Sequence, residues 1–143
     1  MSIQLLNFSF FERRREYAAL FLRLIIGSFI VWGVQDNIFS RAQMEEFAHF
    51  LGARGVPFPL FAAFLSAYTQ FICGILILVG ACVRVISIPF IINFIAAIMI
   101  THRGDGFRDM FPALLMIFTG FFFLFHGAGK PSFDDWWERR RGR

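Results

Sequence analysis

The chain has 143 residues, 57% of them hydrophobic and 17% charged, with a formal net charge of +4. That is the length of one domain, but with more apolar and fewer charged residues than a soluble domain, which is about half apolar and about a quarter charged. Mean hydropathy is +0.62, so the surplus apolar surface is expected to face lipid. A nucleic-acid role is disfavoured, because the basic residues cluster at the two ends with no aromatic stacking platform beside them.

In chain order, residues 1–16 read as an amphipathic, aromatic lead-in, with Phe8, Phe10 and Phe11 ahead of Arg13, Arg14 and Arg15. Such a segment lies in the membrane interface. No small-x-small cleavage pattern follows, so the first apolar run is expected to stay in the mature protein. That run is the first span, over 17–39. Residues 40–58 are polar and Gly-rich. Within them Met44, Phe47, Ala48 and Leu51 recur at helical spacing opposite Glu45, Glu46 and His49, which predicts a short surface helix ending at Gly52.

Pro57 and Pro59 open the second span, which is expected to end near Val83, with Arg84 in a tight turn. The third span, over 85–101, is shorter than the roughly 20 residues usual for a membrane helix. A polar loop over 102–109, a fourth span over 110–126 and a polar tail over 127–143 complete the chain. The transmembrane domain is thus set at 17–130 and a basic tail at 131–143. The expected fold is all-α, a four-transmembrane-helix up-down bundle with a short surface helix after the first span. Most Lys and Arg residues fall on the side of the N-terminal segment, the Arg84 turn and the tail. The positive-inside rule then puts both termini in the cytoplasm of a bacterial-type inner membrane.

Two cysteines, Cys73 and Cys82, are read on one helix about 13 Å apart on roughly opposite faces. They cannot pair with each other, and no Cys-x-x-Cys redox motif is present.

Polar residues inside the apolar runs are the candidates for function, since a polar group in hydrocarbon needs a partner or a cavity. Ser66, Gln70, Cys73, Ile77, Gly80 and Arg84 recur every three to four residues, as do Met116, Thr119, Phe123 and His126. Arg23 and Gly27 share one face of the first span; Trp32 and Asp36 share another. Small and polar faces of this kind pack membrane helices, and packing is the plain reading of Gln70, Asn93 and Thr119. By depth, Arg23, Arg84 and His126 fall near the cytoplasmic surface. They read either as snorkelling side chains or as an anion or headgroup site. Trp32, Gln35, Asp36, Gln70 and Asn93 are the candidates for holding a lipophile. His102, Asp105 and Asp109 are ligand types, but loop carboxylates are normally solvated, and no metal site is expected.

Three segments resemble the DoxX family of small membrane proteins. They are Leu22-Arg23-Leu24-Ile25-Ile26-Gly27 followed by Trp32-Gly33-Val34-Gln35; Gly74-Ile75-Leu76-Ile77-Leu78-Val79-Gly80 followed by Arg84; and Gly127-Ala128-Gly129-Lys130-Pro131-Ser132-Phe133-Asp134. The resemblance implies four helices and membership of a membrane redox system, linked to quinone or thiol chemistry. It also implies a Gly-x-Gly-Lys-x-Ser-x-Asp tail that caps the fourth helix and docks under the bundle, with Lys130 at headgroup level. Many relatives carry His-Gly-x-x-Lys where this chain has Trp32, Gly33 and Asp36, and Glu where it has Gln70. A basic and an acidic position have become acidic and neutral, so proton chemistry resting on that Glu is not carried over.

The expected function is therefore an accessory subunit of a membrane redox system, with no cofactor of its own beyond a bound quinone, a partner carrying the metal or flavin, and the lipid bilayer around it. A homo-oligomer is compatible with this. The alternatives are a lipophilic small-molecule binding or transport protein, and a structural assembly factor. A stand-alone enzyme is disfavoured, because no nucleophile-base pair or ligand set has catalytic spacing.

Overall fold

The computed structural model describes residues 9–142, so Phe8 and the first part of the lead-in lie outside the described residues. Seven α-helices are described: α1 (Ser9–Glu12), α2 (Ala18–Phe39), α3 (Arg41–Ala53), α4 (Pro59–Val79), α5 (Val83–Thr101), α6 (Phe107–His126) and α7 (Phe133–Arg141). No strand occurs among the described residues.

Four of these helices, α2, α4, α5 and α6, are long and apolar enough to cross a membrane. At about 1.5 Å per residue, even the 19-residue α5 nearly matches a hydrocarbon core of about 30 Å. Much of the outward surface of these helices is large and apolar: Phe21 is 71% exposed, Phe118 69% and Phe125 78%. A surface of this kind is stable only against lipid or another apolar partner.

Local sequence sets the helix ends. Ser40 leaves α2 in an extended conformation, and its hydroxyl accepts from the Gln43 N–H at the start of α3. α3 is amphipathic, as its spacing predicts. Met44, Ala48 and Leu51 are buried and join Ala63 and Ala67 of α4 in a small core. Pro59 occupies the first turn of α4, where a missing N–H costs nothing. Gly80 ends α4 at φ +75°, and the N–H groups of Gly80 and Ala81 both donate to the Leu76 carbonyl. A left-handed C-cap of this type favours glycine.

The main core lies between the spans and includes Ile30, Ile77, Val83, Phe90, Met116 and Phe123. Small residues allow two pairs of spans to close tightly. A Cβ on Gly27 would sit 2.6 Å from Leu78 Cγ, and one on Gly74 would sit 2.9 Å from Val31 Cγ2, which joins α2 to α4. A Cβ on Gly120 would sit 2.5 Å from Ile91 Cγ1, which joins α5 to α6. By comparison, α2 and α6 touch sparsely.

Three expectations are corrected. The second span ends at Val79, so Arg84 belongs to the first turn of α5 and not to the α4 seam. Cys82 precedes α5 in a left-handed conformation at φ 51°, so the two cysteines do not share a helix; both are free. The tail is not merely polar: it folds into α7.

Candidate functional site

The start of α2, the α4–α5 turn, the end of α6 and α7 meet at one end of the bundle. The polar chemistry of that end starts with Arg23. The buried stripe of α2, which includes Ala19, Arg23, Ile26, Gly27, Ile30 and Val34, turns Arg23 inward, and the residue is only 2% exposed. Its guanidinium donates to four main-chain carbonyls: Nε to Ile77 (2.8 Å), Nη2 to Leu78 (2.9 Å), and Nη1 to Ala128 (3.1 Å) and Pro131 (2.7 Å). Two of these carbonyls belong to the last turn of α4, where helical donors run out and the helix dipole is negative. The other two belong to the segment after α6. One planar fork therefore fixes three parts of the chain, a task that suits arginine.

Asp134 completes this staple from the other side. Its carboxylate accepts from the N–H groups of Cys82 (2.7 Å) and Val83 (3.1 Å) at the start of α5. Its own N–H donates to the Gly80 carbonyl at 3.0 Å. Ser132 Oγ donates to the Gly129 carbonyl and accepts from the Asp135 N–H, so it caps α7. Gly80 has no room for a side chain, since a Cβ would lie 2.6 Å from Arg23 Cζ and from Ser132 Cβ. The tail thus docks under the bundle; Gly127 caps the end of α6, its N–H donating to the Phe123 carbonyl at 2.8 Å, and Asp134 also caps the start of α5.

Beside the staple lies a cleft of ≈ 880 Å³. Arg84, His126 and Lys130, three of the residues placed near the headgroups by sequence, line it together. Arg84 Nη2 makes a single long bond to the Phe125 carbonyl at 3.5 Å. The His126 ring stacks on Phe122 with centroids 4.9 Å apart. Lys130 sits loosely between Glu16 (3.7 Å) and Asp135 (4.0 Å), and Asp135 is held more closely by Arg139 (2.7 Å). Arg23, the fourth headgroup candidate, does not line the cleft.

The lipophile candidates are spread over the bundle. Trp32 is 75% exposed on the outer side of α2, and Asp36 is exposed on the same side one turn on. Gln35 is half-buried, and Gln70 donates to Ser66 Oγ within its own helix at 3.2 Å. Asn93 Nδ2 is buried without a hydrogen-bond partner among the described residues. None of the five lines the large cleft or a smaller hollow of ≈ 390 Å³ between α2, α3 and α4 at the opposite end. His102 Nδ1 meets Asp105 Oδ2 at 2.9 Å, and among the described residues no group of three or more His, Cys, Asp or Glu is placed to hold a metal ion.

Sequence reasoning missed α7 and the role of Asp134. The signal was there: Ser132 followed three residues later by Asp135 is a capping pattern at a helix start. What Asp134 caps, 52 residues away at Cys82, has no local signature.

With this geometry in view, the chain is similar to the uncharacterized membrane protein Rv3486 of Mycobacterium tuberculosis (strain ATCC 25618 / H37Rv), at 31% identity over 94 residues. The match covers 56% of this chain and 58% of that relative, so the chain spans less than two thirds of the relative's length. No solved structure matches the chain. The DoxX family model matches residues 18–103, which takes in α2 to α5 and the staple's Arg23 and Gly80. The chain is a membrane protein of the DoxX family.

Proposed function

We propose that the chain is an accessory, non-catalytic subunit of a quinone- or thiol-linked redox system in a bacterial-type plasma membrane, with both termini in the cytoplasm. One observation carries this reading. Two buried polar groups of the bundle hold it together, Arg23 through four carbonyls and Ser87 through the Val83 carbonyl, while a cleft lined by charged side chains lies open at one end. Such a chain is suited to anchor and orient a partner. In this reading the partner carries the flavin or metal, since cofactors supply the hard chemistry of redox enzymes. A quinone lies between that partner and the exposed edge of α2 from Trp32 to Asp36. The Lys and Arg bias toward the cleft end supports the orientation.

The test is purification in mild detergent from native membranes, followed by native mass spectrometry and quinone-reduction assays on membranes lacking the chain. A co-purifying redox subunit, with membrane-bound activity lost on deletion, is the expected result. Protein that carries phospholipid alone, with quinone reduction unchanged on deletion, overturns it. That second result favours an assembly or lipid-binding role, which the cleft's size and lining also fit.

A further inference from the structure

We infer that the cleft binds the phosphate of a membrane phospholipid, held by Arg84 and Arg15. The inference does not depend on a redox role. Four observations carry it.

The first is a pair of guanidiniums, Arg84 and Arg15, that hold no carboxylate among the described residues. Arg84 has only its 3.5 Å contact with the Phe125 carbonyl, and Arg15 makes no side-chain hydrogen bond or ion pair among the described residues. The cleft's carboxylates are mostly engaged: Asp134 by the Cys82 and Val83 N–H groups, Asp135 by Arg139, and Glu16 by Lys130. Glu138 alone has no such partner among the described residues. The lining carries four carboxylates and three basic side chains, and of the latter the two guanidiniums are the ones without an ion-pair partner among the described residues. Guanidinium and phosphate oxygens match in geometry and charge.

The second is volume. A cleft of ≈ 880 Å³ is far larger than an inorganic anion needs and accommodates a headgroup with its glycerol.

The third is depth. Arg15 precedes α2, Arg84 is in the first turn of α5, and His126 ends α6, so three spans place the cleft where hydrocarbon gives way to headgroups. Phe133, Trp136 and Trp137 of α7 are half-exposed and clustered, Phe133 stacked on Trp137 and Trp136 tilted against both, with Arg140 over the Trp136 ring at 4.2 Å. Aromatic and arginine side chains of this kind occupy the membrane interface.

The fourth is the mixed lining. Ala18, Val85 and Phe122 form the cleft's apolar part, and Val85 is 69% exposed on the side of the spans. An acyl chain can leave a bound headgroup along that surface without crossing a polar rim. A free phosphate uses none of it.

The experiment is lipid retention by the full chain in detergent, read by native mass spectrometry. The probes are phosphatidylglycerol, diacylglycerol with the same chains, and inorganic phosphate. The expected result is selective retention of phosphatidylglycerol over diacylglycerol, with inorganic phosphate a poor competitor. Arg84→Gln should weaken retention about tenfold, the scale of one lost charge-assisted bond, and Arg15→Gln with Arg84→Gln should weaken it further. Glu138→Gln should strengthen retention, an opposite sign that general damage to the fold does not produce. Equal retention of diacylglycerol, or retention unchanged in the double variant, overturns the proposal. Binding of inorganic phosphate as tightly as the lipid reassigns the cleft to a soluble anion and overturns the lipid source.

Discussion

Replacing Arg23 by Lys keeps the charge and removes the fork, and so isolates what the guanidinium geometry contributes. In the native chain four carbonyls accept from it, at 2.7 to 3.1 Å. The Ile77 carbonyl has a second donor in the Gly80 N–H at 3.2 Å, so its loss is partly compensated. The carbonyls of Leu78, Ala128 and Pro131 depend more fully on Arg23. A lysine ammonium is a point charge on a flexible stem and reaches about one of these three. Two are then left without their charged donor. At the lower end of the range for hydrogen bonds to charged groups, about 1.5 kcal/mol each, the loss is about 3 kcal/mol, or roughly a hundredfold in the equilibrium.

The loss should act first on the docked tail, because two of the four carbonyls lie in the segment between α6 and α7. Equilibrium unfolding in detergent and limited chymotrypsin digestion at Phe133 would be compared between wild type, Arg23→Lys and Arg23→Met. The expected outcome is lower stability in both variants, with the tail cleaved faster than the spans unfold. If Arg23→Lys matches the wild type in stability and in tail protection, the fork is not what holds the three parts together.

Asp134→Ala removes the cap of α5 and should cost about 1–2 kcal/mol of stability. Its effect should be non-additive with Arg23→Lys in a double-mutant cycle, since both act on the α4–α5 turn. Gly120→Ala places a Cβ against Ile91 and should destabilise by about 1–3 kcal/mol. Gly33→Ala, on an open helix face, should stabilise by about 0.5–1 kcal/mol; thermal melts of the two variants should move in opposite directions. Asn93→Leu removes a buried amide nitrogen that has no partner among the described residues and should raise stability, by about 1 kcal/mol on the scale of an unmet hydrogen bond. A clear drop in melting temperature would mean that Asn93 has a partner in the membrane-bound protein.

The sequence by itself determined the membrane class, the four spans, the surface helix α3 and the family. These are written in signals that act along a few turns: apolar runs, the 3.6-residue spacing of Met44, Ala48 and Leu51, and prolines and glycines at helix ends. Gly27, Gly74 and Gly120 were legible only as small residues. That the first two join α2 to α4, and the third α5 to α6, depends on which helix lies opposite. Depth along a span could be counted from sequence, and Arg84 and His126, counted to one side, lie at one end of the bundle.

Direction around the helix decided the rest. Arg23 has the same depth as a snorkelling arginine, but the face it shares with Ile26, Gly27 and Ile30 points it at the orphan carbonyls of α4. Trp32 and Asp36 lie on the other face and stay exposed. The same holds for the tail. Its composition is that of a solvated terminus, yet Asp134 finds two unpaired N–H groups at the start of α5. Which long-range partner meets a donor or acceptor is a property of the assembled bundle, because hydrogen bonds act over about 3 Å and chain separations of 50 residues or more leave no local trace.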